Sequence, residues 1–170
     1  MRILGIDPAL RITGFGLVDW NGREFTLICA GTISAPEKEP MPRRLLKIHA
    51  AVTRLIFEFK PDLMVLEKIF AHSRHPATSF ALGQARGVIC LACGSAGLPL
   101  AEYAASRVKK ALTGNGLASK AQVQRSVTGL LGMKKVPRYL DVTDALALAI
   151  AFCYLAKAEA LGKNTFTTHP

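Results

Sequence analysis

The chain has 170 residues, 22 Lys and Arg against 12 Asp and Glu, a formal net charge of +10, and half of its residues are hydrophobic. That length suits one domain, and that apolar fraction excludes a disordered chain. The longest unbroken apolar run, 145–156, is twelve residues, where a membrane-spanning helix needs about 20, so no membrane anchor is expected.

In chain order, Arg2-Ile3-Leu4-Gly5-Ile6-Asp7 predicts a buried strand that ends in an acid and is stopped by Pro8. The acid and the proline come too early for a signal peptide, and a cytoplasmic protein is expected. Segments 13–20 and 24–33 predict two further strands, joined at Asn21-Gly22, a strong hairpin signal. Residues 34–41, rich in Pro and Glu, predict a loop. Leu45, Ile48, Val52, Leu55, Ile56 and Phe59 recur at helical spacing and predict an amphipathic helix over 42–60. Leu63-Met64-Val65-Leu66-Glu67 is a second buried strand ending in an acid.

A mobile stretch at 71–76 then leads to a helix near 78–96 and a short strand at 98–103. Four cysteines (Cys29, Cys90, Cys93, Cys153) include one CxxC spacing, but it lies in an apolar run and no second pair completes a zinc site. Buried thiols in a reducing compartment are expected. Ser119 and Gln122 form a capping box that opens a helix with Val123, Val127, Leu130 and Leu131 on one face. Asp141 is expected to open the last helix, which runs to about Leu161. The expected organisation is one domain over 1–161 with a frayed tail at 162–170. Three antiparallel strands followed by strands alternating with helices predict an α/β protein with a mixed sheet and helices on both faces.

Two features point to chemistry. From Tyr103 to Leu140 there are eight bases and no acid, the pattern of a polyanion-binding surface and most simply of a nucleic-acid one. Four acids (Asp7, Glu67, Asp141, Asp144) border the most apolar segments, where charge is costly unless paired or metal-bound. Each has a plain structural alternative: an Asx-turn at Asp7, a cross-sheet ion pair at Glu67, a helix cap and first-turn charge at Asp141 and Asp144. Together, with no histidine or cysteine among them, they select hard cations, Mg²⁺ or Mn²⁺. Two such ions held by carboxylates can activate a water and stabilise a leaving oxygen in phosphoryl displacement. A basic surface with that site argues for a nuclease.

The ordered motifs resemble the RuvC family of Holliday-junction resolvases, within the ribonuclease-H-like superfamily. Gly5-Ile6-Asp7-Pro8 with Arg11-Ile12-Thr13-Gly14-Phe15-Gly16 is similar to its first strand and hairpin. Glu67-Lys68-Ile69-Phe70, Leu82-Gly83-Gln84-Ala85-Arg86-Gly87, Glu102-Tyr103-Ala104-Ala105, Val108-Lys109, Lys120-Ala121-Gln122-Val123-Gln124 and Asp141-Val142-Thr143-Asp144 follow in order. The resemblance implies a five-stranded ribonuclease-H-like sheet and a homodimer that nicks two opposed strands of a four-way DNA junction symmetrically. It implies 5′-phosphate and 3′-hydroxyl ends, two Mg²⁺ per site with Mn²⁺ as a substitute, and a branch-migration motor as partner. By position, Asp7, Glu67, Asp141 and Asp144 are the catalytic and metal-binding carboxylates, with Asp7 bridging both ions. Phe70, Arg74, Lys109, Lys110 and Lys120 make up the DNA-binding set, Phe70 stacking on an unpaired base and Lys109 and Lys120 standing near the scissile phosphate.

The chain departs from the family at Ala9-Leu10, where Gly-Ser is usual. Gly admits a left-handed backbone that Ala resists, so the loop beside Asp7 is expected to differ or to carry strain. A DNA-binding module without chemistry is the alternative, and the intact four-acid set speaks against it. Gly5-Ile6-Asp7-Pro8 also resembles the phosphate loop of actin-like sugar kinases, but those need two such domains and the chain is too short.

Overall fold

The structure, a computed structural model, describes residues 1–68 and 76–164, with side chains at 1–68 and 79–159. Strands β1 (Arg2–Asp7), β2 (Ile12–Trp20) and β3 (Phe25–Ser34) form an antiparallel meander. Helix α1 (Met41–Phe59) crosses to β4 (Leu63–Glu67), which pairs parallel to β1, and α2 (Pro76–Ser95) crosses to β5 (Leu100–Tyr103), parallel to β4. The sheet order is β3-β2-β1-β4-β5, the mixed five-stranded arrangement the sequence predicts. Helices α3 (Ala105–Thr113), α4 (Lys120–Leu130) and α5 (Leu140–Asn164) complete the chain.

Side-chain alternation divides the core into two layers. Ile3 and Val18 join Leu63 and Val65 beneath α3, α4 and α5, while Leu4, Ile6, Met64 and Leu66 face α1 and α2. Helices therefore cover both faces. Apolar strands with no polar face, such as β1 and β4, are what burial on both sides requires.

Three glycines set how closely α5 lies on the sheet. Gly5 and Gly16 are cross-strand partners, and Gly14 pairs with Asp7. A Cβ at Gly5 would strike the Ala145 carbonyl, one at Gly16 the Leu146 side chain, and one at Gly14 the Asp141 backbone. The missing side chains let the helix backbone rest on β1 and β2, which brings its first turns to the carboxyl end of β1.

Several local details differ from the sequence reading. The hairpin loop spans Asn21 to Glu24, because Asn21 Oδ1 accepts the N–H groups of Arg23 and Glu24, each at 2.9 Å. Gly22 adopts φ +98° there. Helix α5 starts at Leu140, so Asp141 lies inside its first turn rather than at the cap; an acid there still favours the positive end of the helix. The helix runs three residues past Leu161, to Asn164, and the rest of the expected tail lies outside the described residues, as does the stretch 71–75. The strain expected at Ala9-Leu10 is absent: among the described residues Lys60 is the one non-glycine with positive φ. Instead, Thr13 Oγ1 donates to the Ala9 carbonyl at 2.6 Å, and Arg44 reaches from α1 to the Leu10 and Ala35 carbonyls, both at 3.1 Å. The capping box of α4 is present as predicted. All four cysteines are free.

Candidate active site

Strand alternation fixes where the first two acids point. Asp7 follows Ile3 and Gly5 on one face of β1, and Glu67 follows Leu63 and Val65 on the same face of β4. The two strands run parallel, and Asp7 and Glu67 each come one residue after the Ile6–Leu66 pair. Their carboxylates therefore emerge at one sheet edge beneath α5, where open α/β sheets place ligands. Asp141 stands over Gly14, the partner of Asp7. Asp144, three residues on, is on the same side of the helix and lines a cavity of about 240 Å³ with Glu67, Lys109, Lys120 and Val123.

The electrostatics reflect this crowding. Burial pushes the Asp7 carboxyl up to about 7, and Asp144, Glu67 and Asp141 push in the same direction. Glu67 is also raised, by burial first and then by Asp144. The counterweight is Lys120, whose Nζ donates to Asp144 Oδ2 at 3.0 Å and whose own pKa is raised by that bond. Lys120 begins α4, where a cation opposes the helix dipole; the acids it faces account for its position. Among the described residues no three acidic, imidazole or thiol side chains already converge as an ion's ligands. The donor set itself is all carboxylate and fits a hard divalent cation.

Of the DNA-binding set, Lys109 and Lys120 line the acidic cavity. Lys110 is exposed beside it, and Phe70 and Arg74 lie outside the described residues. Larger hollows of about 420 and 550 Å³ lie near the other end of the sheet, around Arg2, Asp19 and Asp62 and between the ends of α1 and α2. In the first, Asp19 is ion-paired with the Arg2 guanidinium and Asp62 accepts the Arg2 N–H, so two of its three acids are already engaged.

Two supports of the site were not assigned a role from sequence. Arg86, on α2, donates to the Glu67 carbonyl at 2.7 Å and ion-pairs with Glu102 of β5, clamping the end of β4 to its neighbour. Arg44 and Thr13 pin the loop after Asp7. Arg44 had a legible signal: it falls four residues before Ile48 on the buried face of α1, where an arginine needs a reason.

A mixed sheet with acids at the ends of two parallel strands, a third and fourth acid on the helix across them, and lysines at the cavity defines a nuclease of the ribonuclease-H-like class. Residues 3–152 match the family model described as crossover junction endodeoxyribonuclease RuvC, and the chain belongs to that family. Proteins so named from Rhodopirellula baltica and Methylococcus capsulatus are 43% and 44% identical to it, over 91% and 95% of this chain and 86% and 94% of theirs. The Thermus thermophilus RuvC structure superposes with a TM-score of 0.86 at 32% identity, covering 94% of this chain and 97% of that one. A second T. thermophilus RuvC structure, in complex with Holliday junction substrate, gives 0.85 at 30% identity, covering 93% and 96%. Membership in this nuclease family carries a divalent-metal requirement with it. No helix among the described residues is long and apolar enough to cross a membrane.

Proposed function

We propose that this protein resolves four-way (Holliday) DNA junctions in recombination and repair, by symmetric metal-dependent nicking of two opposed strands. The observation that carries this reading is the meeting of Asp7, Glu67, Asp141 and Asp144 at one sheet edge with Lys109 and Lys120 beside them. Asp7, Glu67 and Asp144, with Asp141 against Asp7 from the first turn of α5, would hold two Mg²⁺ ions. When bound, such ions activate a water and stabilise the leaving oxygen.

The rest of the task falls to side chains of this chain. Lys109 and Lys120 attract the scissile phosphate and balance its charge. Asp7, with its carboxyl raised to about 7 by burial and its acidic neighbours, would hold a cation as the carboxylate. Arg86 holds the end of β4 still, so that Glu67 keeps its position. Phe70 and Arg74 belong to the DNA-binding set through the family resemblance, Phe70 stacking on an unpaired base. The products would carry 5′-phosphates and 3′-hydroxyls, and the enzyme would work in the cytoplasm beside a branch-migration motor.

Two opposed cuts call for two sites. The outer side of α2 supports a homodimer, since Phe80 and Leu91 are 70% and 59% exposed there and Gly83 and Gly87 leave open space between them. A dimer is expected by light scattering at micromolar concentration, and a monomer would count against the paired mechanism.

The decisive test is cleavage of labelled synthetic four-way junctions of several sequences, beside matched linear duplexes, with and without Mg²⁺. Paired, symmetric, ligatable nicks in the junctions alone are expected. Asp7→Asn should abolish them and leave junction binding intact. Tight junction binding without cuts in any metal would instead support a binding module.

A further inference from the structure

Leu117 is 91% exposed, the most exposed of the large apolar side chains among the described residues. Single exposed leucines are ordinary, but the loop that carries this one is fixed on both sides. Thr113 Oγ1 donates to the Lys109 carbonyl at 2.8 Å and accepts the Asn115 N–H at 3.2 Å. Asn115 Oδ1 accepts the N–H of Leu117 itself at 2.9 Å. Gly114 takes φ +75°, and Gly116 lies against Ser106, so closely that a Cβ would crowd its carbonyl. The next residue, Ala118, is 1% exposed and belongs to the core, and Ser119 caps α4. Leu117 is thus held out into water by an ordered turn.

Its neighbours identify what would meet it. Lys109 and Lys110 precede the loop on α3 and Lys120 follows it, and two of these lysines line the acidic cavity. No acid occurs between Tyr103 and Leu140. An apolar tip set among cations suits nucleic acid, whose phosphates take the lysines while its bases take the leucine; apolar wedges pressed into base steps are an established way to unstack DNA.

We propose that Leu117 is a specificity-determining contact, a wedge against the bases flanking the scissile phosphate that favours the distorted strand of a junction over regular duplex. The inference rests on the proposed junction-cleaving function. Its test uses Asp7→Asn protein and junctions carrying 2-aminopurine next to the cut site. The parent is expected to prefer junction to duplex and to raise the fluorescence on binding. Leu117→Ser should lose most of that rise and bind junctions about tenfold more weakly, and Leu117→Met should restore both. The melting temperature and the slope of log Kd against log salt should not move, because an exposed uncharged side chain contributes to neither.

If the parent shows no preference for junctions, the proposed function falls and the wedge with it. If the parent prefers junctions and Leu117→Ser matches it in fluorescence and affinity, the wedge alone is overturned. A loss of affinity accompanied by a lower melting temperature would likewise overturn it, by showing that Leu117 acts through the fold.

Discussion

Asp7 titrates near 3.8 in an unfolded chain and at about 7 in the fold, through burial first and its three acidic neighbours next. Between those values the native state holds more protons than the unfolded one. This group's contribution to stability therefore falls as pH rises from about 4 to about 7 and stays low above that. Asp7→Asn keeps the shape and removes the charge. In metal-free protein it should raise stability at pH 8 by roughly 1–3 kcal/mol, a few degrees in melting temperature, and change little at pH 4. Melts at the two pH values check this, and equal stability at pH 8 would contradict the crowding of charge.

Lys120 supplies the second test at this scale. Its ammonium is a tethered cation in contact with Asp144, so it competes with a divalent ion for the same oxygens. Lys120→Gln should tighten Mn²⁺ binding by roughly three- to tenfold in calorimetric titration, while cleavage should fall through loss of the phosphate contact proposed for this lysine.

At the scale of elements, the approach of α5 to the sheet decides whether two helix acids meet two strand acids. Gly14→Ala would force the Asp141 backbone off β2, with an expected cost of about 1–3 kcal/mol and a drop in cleavage from misplaced carboxylates. Gly129, in α4, faces open space at an ordinary backbone angle. Gly129→Ala should therefore be neutral or stabilising by up to about 1 kcal/mol. Denaturant titrations of the pair separate close approach from a general intolerance of alanine. The same logic explains why the Ala9-Leu10 loop carries no strain: its geometry is held by Thr13 and Arg44 and needs no left-handed residue.

Across the whole molecule, a net charge of +10 and an acid-free stretch around the cavity make DNA binding steeply dependent on salt. Each phosphate neutralised contributes about 0.9 to the slope of log affinity against log salt on duplex arms. Lys110 is exposed and lies outside the acidic cavity, so the part proposed for it in DNA binding is through charge alone. Lys110→Gln should reduce that slope by about one and leave Mn²⁺ binding unchanged. An unaltered slope would place Lys110 off the DNA path.

The sequence by itself determined the strands, the helices and the four acids, because apolar runs ending abruptly in a charge are local patterns. It also determined the basic stretch, which composition alone reveals. Tertiary structure decided what those patterns do together. Strand alternation and the parallel pairing of β1 with β4 put Asp7 and Glu67 on one face, and Gly5, Gly14 and Gly16 let α5 deliver Asp141 and Asp144 to it. The Arg86 clamp and the outward Leu117 were beyond the sequence reading because each depends on partners or burial that only packing defines. Arg44 was legible as a base on the apolar face of α1, but the carbonyls it meets were not. Asp7 shows the division most clearly: the sequence supplies an acid at a strand end, and the fold, by burying it among three others, raises its carboxyl to about 7.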